Sequence, residues 1–173
     1  AYSTGADLRK IASHAEKIAK GLPEGRKVVE TSDVEANVGV SREFSVFELN
    51  SALSYRDRAK ALDIAAHLGG AAKFALPAVT SMLFMHFNRI LKLSALMKAR
   101  PSASASEKAS VAGVPPFALR EYDAAAGNYS FDSLKRIISV LVEYDYKSKG
   151  GDVSSDLEDS ELLKELVVKI LSV

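Results

Sequence analysis

Residues 130–151 read SFDSLKRIISVLVEYDYKSKGG, with Phe131, Leu134, Ile137, Ile138, Leu141 and Tyr144 recurring three and four positions apart. That spacing stacks side chains on one face of an α-helix, and Ser130 stands where an amino-terminal cap is needed. Residues 159–173, DSELLKELVVKILSV, repeat the rhythm through Leu162, Leu163, Leu166, Val167 and Ile170. Between the two runs, the basic helix end Lys147-Ser-Lys gives way to Gly150-Gly151 and then to acidic residues. Two long amphipathic helices joined by a glycine loop are predicted, and they set the class of the chain.

Upstream the same period continues. Asp7 caps a helix whose apolar positions are Leu8, Ile11, Ala12, Ala15, Ile18 and Ala19, stopped by Gly21 and Pro23. Thr31 or Ser32 caps a short helix over 33–38, closed by Gly39. Two Ala-rich helices over 44–54 and 56–68 end at Gly69-Gly70. Pro77 suits the first turn of a long helix, because its missing N–H falls where no intrahelical partner exists. Val79, Leu83, Phe84, Phe87, Ile90 and Leu91 carry that helix to about residue 98. A Ser/Ala-rich link leads to a short helix, Gly113-Val-Pro-Pro breaks the chain, and a further helix is predicted over 116–126. Only residues 26–29 have a weak claim to a strand. The chain reads as all-α, with a domain boundary expected between Gly69 and Pro77 and no internal repeat.

Composition excludes several classes of function. In 173 residues, 23 basic and 22 acidic side chains leave a net charge of +1, so no global field draws the protein to nucleic acid or membrane. The absence of cysteine removes disulfides, thiolate catalysis and Cys-based metal sites. Lys73, His86, Arg89 and Lys92 interrupt the most apolar stretch, so a soluble protein is expected. The chain lacks an initiator Met and reads as a piece of a longer protein.

No catalytic constellation stands out. His14, His67 and His86 are scattered, without carboxylates at metal-ligand spacing, and no metal or cofactor site is expected. Neither a Gly-x-Ser-x-Gly elbow nor a Gly-rich phosphate loop is present. The acidic residues Asp156, Glu158, Asp159 and Glu161 are explained as capping the last helix. Residues 107–117 resemble a helix-turn-helix in outline. The second helix, however, offers Arg120 against Glu121 and Asp123, too little positive charge for a recognition helix, so a structural hairpin is the better account. Between Asp63 and Glu107 there is no acidic residue, whereas Lys73, Arg89, Lys92, Lys98 and Arg100 are all positive. Arg89 and Lys92 share one side of their helix and are candidates for phosphate or for an acidic neighbour.

Taken in order, these segments resemble a known family. The opening Gly5-Ala-Asp-Leu-Arg-Lys-Ile is similar to a "D-L-x-x-I-x-x-E-x-x-K-L" helix, Thr31-Ser-Asp-Val-Glu-Ala-Asn-Val-Gly to "T-x-x-D-V-E-x-x-V-G", and Phe44-Ser-Val-Phe-Glu-Leu-Asn-Ser-Ala-Leu to "V-F-E-L-x-x-A-L". "K-A-L-x-I" follows at Lys60 to Ile64, then the Gly113-Val-Pro-Pro-Phe hairpin, Tyr129-Ser-Phe-Asp-Ser-Leu and the Asp145 to Gly151 segment. Together they resemble the delta subunit of the bacterial DNA polymerase III clamp loader, in its Bacteroidetes branch. The resemblance implies a small AAA+ lid-like helical bundle over 1–72 and a helical collar over 73–173, with the clamp-gripping amino-terminal domain absent. It implies a cytoplasmic, non-catalytic part of the loader that places the sliding clamp on primed DNA. The DNA-directed DNA polymerase holoenzyme would be the enzyme.

Expected partners are the delta-prime and tau or gamma subunits, primer-template DNA in the assembled complex, and the sliding clamp only through the absent domain. No membrane or cofactor is expected. On this reading apolar residues of the broad stripe Leu162, Leu163, Leu166, Val167, Ile170 and Leu171, and of the Phe131 to Tyr144 helix, that the domain's own core does not use contact neighbouring subunits, and Lys147 and Lys149 of the glycine loop join Arg89 and Lys92 as phosphate contacts. The competing class is an independent all-α nucleic-acid-binding or regulatory module.

Overall fold

A computed structural model describes residues 15–16, 29, 42–71, 74–151 and 157–173. The helix expected over 33–38, His14, all but residues 15–16 of the helix expected over 7–20, all but residue 29 of the weak strand claim over 26–29, and most of the acidic run after Gly151 lie outside the described residues. Seven α-helices and no strand are found among those described: α1 Arg42–Ser54, α2 Arg58–Gly69, α3 Leu76–Ala99, α4 Ala105–Ala112, α5 Leu119–Asn128, α6 Phe131–Ser148 and α7 Asp159–Ser172. The all-α expectation holds.

Local chemistry explains most of the helix boundaries. Asp57, Ser104 and Ser130 accept from the backbone N–H of Lys60, Glu107 and Ser133 respectively, each satisfying a donor that the first turn leaves orphaned. Pro77 sits in the first turn of α3. Gly113 and Gly150 close α4 and α6 with positive φ, 66° and 77°, the left-handed conformation that costs glycine least. Two expectations are corrected. The helix after the Pro-Pro break starts at Leu119, because residues Pro116–Ala118 form a 3-10 turn first. Among the described residues no acidic side chain makes a cap hydrogen bond at the start of α7, although Asp159 and Glu161 stand in its first turn. Asp159 instead reaches across to the Leu76 N–H at the start of α3, 3.5 Å away.

The chain divides into two units, Ala1–Ser45 and Val46–Val173. In the larger unit α3 is the spine. Its Leu76, Val79, Leu83, Phe87, Ile90 and Leu93 are buried, and α6, α4, α5 and α7 all pack against it. Lys98 near the end of α3 lies over Phe131 at the start of α6, so the two helices run antiparallel. α7 lies against both α2 and α6.

The boundary expected between residues 72 and 73 falls inside this larger unit. α2 packs along α7, and Gly69 is what allows it: a Cβ there would stand 2.9 Å from the Ser160 Cβ. The glycine that reads as a linker is a contact point between helices.

Candidate functional site

Three helix ends converge on one residue. α1 finishes with paired hydrogen bonds, Asp57 N–H to Ala52 C=O at 2.8 Å and Arg56 N–H to Leu53 C=O at 3.0 Å, the Schellman pattern that normally carries glycine at its left-handed position. Here that position is Arg56, at φ 55°, a conformation that costs a side-chain-bearing residue about 1 kcal/mol. Its guanidinium donates to the Leu171 carbonyl at 2.9 Å and the Asn128 carbonyl at 3.5 Å, in the last turns of α7 and α5. It also lies 4.8 Å from the centroid of the Tyr129 ring. Asn128 Nδ2 donates to the Ser54 carbonyl at 2.9 Å and Tyr129 OH to the Leu53 carbonyl at 2.7 Å. Carbonyls in the last turns of α1, α5 and α7, each at the negative end of a helix dipole, thus share one cation and two neutral side-chain donors.

Glycine at position 56 would relieve the backbone yet remove the charge-assisted bond, worth about 1.5–3 kcal/mol, and the ring contact, worth about 0.5–1 kcal/mol. The Arg56→Gly variant is therefore expected to lose about 1–3 kcal/mol of stability, read from its urea midpoint. A gain in stability would show that the clamp contributes nothing.

Beside this junction lies a polar cluster with a buried centre. His86 of α3 is 3% exposed and Ser54 wholly buried. His86 Nε2 is 2.8 Å from Ser54 Oγ, His86 Nδ1 is 3.2 Å from Tyr122 OH, and Ser54 Oγ donates to Glu121 Oε1 at 3.1 Å. With the Ser54 proton directed at Glu121, the consistent assignment is Tyr122 O–H to Nδ1 and Nε2–H to Ser54 Oγ. That is the reverse of an activated serine, in which the imidazole would accept the hydroxyl proton. Burial, with Arg89 adding repulsion, pushes the His86 pKa down to about 3, so the ring is neutral. The group ties α1, α3 and α5 together. Among the described residues no group of His, Asp and Glu is placed to hold a metal ion.

The expected phosphate contacts do not converge. Lys147 pairs with Glu143 at 2.9 Å and Lys149 with Asp145 at 2.6 Å. The Lys147 hydrogen bond holds the Glu143 carboxyl below its ordinary range, and Glu143 in turn raises Lys147. Lys149 lines a groove with Thr80 and Ser81, whereas Arg89 is about two turns further along α3. Lys92 is exposed and Arg89 half-buried, and neither enters an ion pair among the described residues. Arg100 is paired with Glu107.

The α7 stripe expected to meet neighbouring subunits is covered within the chain. Leu162, Leu163, Leu166, Val167, Ile170 and Leu171 are all buried within the chain, at most 6% exposed. At 100° per residue they cover an arc of about 180°, and α7 needs that breadth because α2 and α6 both pack on it. Among the apolar side chains that do face outward are Phe84 and Met85 on α3 and Val142 and Tyr146 on α6, with exposures of 37, 53, 57 and 62%. Three of them, Phe84, Met85 and Val142, line a groove of about 410 Å³ between α3 and α6. Val142 falls outside the 131–144 stripe, and an apolar residue off the buried face was the sequence signal for this surface.

An antiparallel helix pair with short helices and a carboxy-terminal helix packed around it, locked by a clamp of helix ends, defines an all-α scaffold domain. The family model for the DNA polymerase III delta subunit, C-terminal domain, matches residues 43–168, and the chain belongs to that family. Among solved structures, the Bacillus subtilis DNA clamp loader delta protein (YqeN) is similar in fold, with a TM-score of 0.64 at 23% identity. The likeness covers 96% of this chain and 47% of that one, so the chain spans about half the length of the protein it resembles. No curated protein matches. No described helix is long and apolar enough to cross a membrane.

Proposed function

We propose that the chain is the carboxy-terminal part of a clamp-loader delta subunit, a non-catalytic component of the DNA polymerase III machinery that places the sliding clamp on primed DNA in the cytoplasm. The observation that carries this reading is the family match over residues 43–168. The enclosed Ser54–His86 cluster, with its proton directed away from the imidazole, supports a structural rather than a catalytic role.

The unit Val46–Val173 takes the collar role, and its partners are the delta-prime and tau or gamma subunits. Assembly uses the outward apolar side chains of α3 and α6, in place of the buried stripe of α7. Lys147 and Lys149 would have to exchange Glu143 and Asp145 for phosphate before touching DNA, an exchange that the exposed Lys149 permits at little cost and the half-buried Lys147 less readily. Size-exclusion chromatography of the chain with delta-prime and tau or gamma from the same organism is expected to give co-elution at micromolar concentration. The double variant Met85→Asp/Val142→Asp is expected to elute alone while keeping its helical circular dichroism. Absence of complex with the unaltered chain would overturn the collar role, and complex formation by the double variant would overturn the surface.

A further inference from the structure

The lysines nearest the glycine loop are neutralised, and the uncompensated charge lies at the other end of the α3–α6 pair. Glu143, Asp145 and Glu165 stand against Lys147, Lys149 and Lys169, three negative charges to three positive, each lysine within 3.5 Å of a carboxylate. At the amino-terminal end of α6 the balance differs. Lys135 and Lys98 place their ammonium groups 5.4 and 5.5 Å from the centroid of the same Phe131 ring, one from α6 and one from the last turn of α3. Arg136 follows Lys135, and both are exposed. Arg136 enters no ion pair among the described residues. The only carboxylate in this group is Asp132, 2.8 Å from Lys135 and itself exposed. Three positive charges against one negative leave a local charge of +2, larger than the net charge of the whole chain.

The surroundings add to this field. Asp132, Lys135, Arg136 and Ser139 line a shallow concavity of about 470 Å³. The Lys135 hydrogen bond first, and the charges of Lys135, Lys98 and Arg136 after it, hold the Asp132 carboxyl below its usual range. The positive end of the α6 dipole points the same way.

We propose that Lys98, Lys135 and Arg136 form a phosphate-contacting surface for the backbone of nucleic acid. Two ammonium groups held against one ring from two different helices, and a guanidinium one residue from Lys135, present several separate donors, as successive phosphates of a strand require. No side chain here is arranged to read a base edge, so contact would be independent of sequence. The choice of nucleic acid over an acidic protein segment rests on the clamp-loader reading; the charge cluster does not.

The test uses the chain itself with a fluorescein-labelled 20-base-pair duplex and anisotropy as the readout. Three phosphate contacts give a slope of about −2.7 in log affinity against log salt, so binding measured at 50 mM salt should weaken about 40-fold at 200 mM. Lys135→Glu/Arg136→Glu is expected to weaken binding at 50 mM at least tenfold and to reduce the slope to about −1. The charge-matched Lys164→Glu/Lys169→Glu variant on α7 is expected to lose less than threefold. Three results would overturn the proposal: no binding by the unaltered chain at 50 mM salt, equal losses in both double variants, or affinity that does not fall with salt. Polyglutamate competing as well as unlabelled duplex would assign the surface to an acidic protein and likewise overturn it. Failure here leaves co-elution with the partner subunits unaffected, so it is distinguishable from failure of the collar role.

Discussion

Replacing Leu166 by Glu is expected to abolish the cooperative unfolding transition of this chain at 25 °C. Leu166 is completely buried, at the centre of the stripe that α7 presents to α2 and α6. The substitution removes about 2–3 kcal/mol of apolar burial and strands a carboxylate with no cationic partner, which costs several kcal/mol more whether the group stays charged or takes up a proton. The sum is comparable with the total stability of a domain of this size, about 5–15 kcal/mol. Val168→Glu, on the same helix but 37% exposed, should shift the midpoint by less than 1 kcal/mol. Urea titrations followed by far-ultraviolet circular dichroism compare the two directly. A Leu166→Glu chain that melts like the unaltered one would mean that the stripe is not core, and would restore it as a surface for other subunits.

That contrast shows where sequence was legible. The period of Leu83, Phe87 and Ile90 in α3, of Leu134, Ile137, Leu141 and Tyr144 in α6, and of the α7 stripe identified buried faces correctly. Periodicity reports which side of a helix avoids water, but not whether this chain or another one covers it. The breadth of the α7 stripe looked like surplus for a partner and is instead the width needed for two neighbours within the same unit. Gly69 marks a helix end and a boundary in the sequence, whereas its lack of a side chain is what the α2–α7 contact uses. The Ser54–His86 and Arg56–Leu171 contacts join residues 32 and 115 positions apart, and nothing in local spacing encodes such pairs. One local signal did exist. The turn Ser54-Tyr-Arg-Asp joins two helices with neither glycine nor proline, so some residue with a side chain had to take the left-handed position.

Acidification tests the enclosed histidine separately from the hydrophobic core. In the folded chain burial holds the His86 pKa at about 3, against an ordinary value of 6.5. Between those values the unfolded chain binds a proton that the folded chain refuses, so stability falls as pH falls. The contribution is fully present above about pH 6.5 and is lost progressively toward pH 3. From pH 7 to pH 5 the linkage amounts to about 2 kcal/mol. Most carboxylate effects lie lower: Glu143 and Asp132 have pKa values below their ordinary range, so their contributions are lost mainly below about pH 4.5. The groups facing the imidazole are Ser54, Tyr122 and, through Ser54, Glu121, with the Arg89 charge nearby on the same helix. None of these supplies a direct carboxylate partner that would stabilise an imidazolium. His86→Gln keeps an amide able to donate and accept but removes the titrating group. It is expected to be less stable at pH 7, because an amide matches the imidazole geometry imperfectly, and to lose the part of the pH 7-to-5 slope that belongs to His86. Urea midpoints of both chains at pH 7, 6 and 5 decide the matter. Parallel slopes would show that His86 takes up its proton without breaking the fold, which would require Ser54 and Tyr122 to turn and the cluster to admit water.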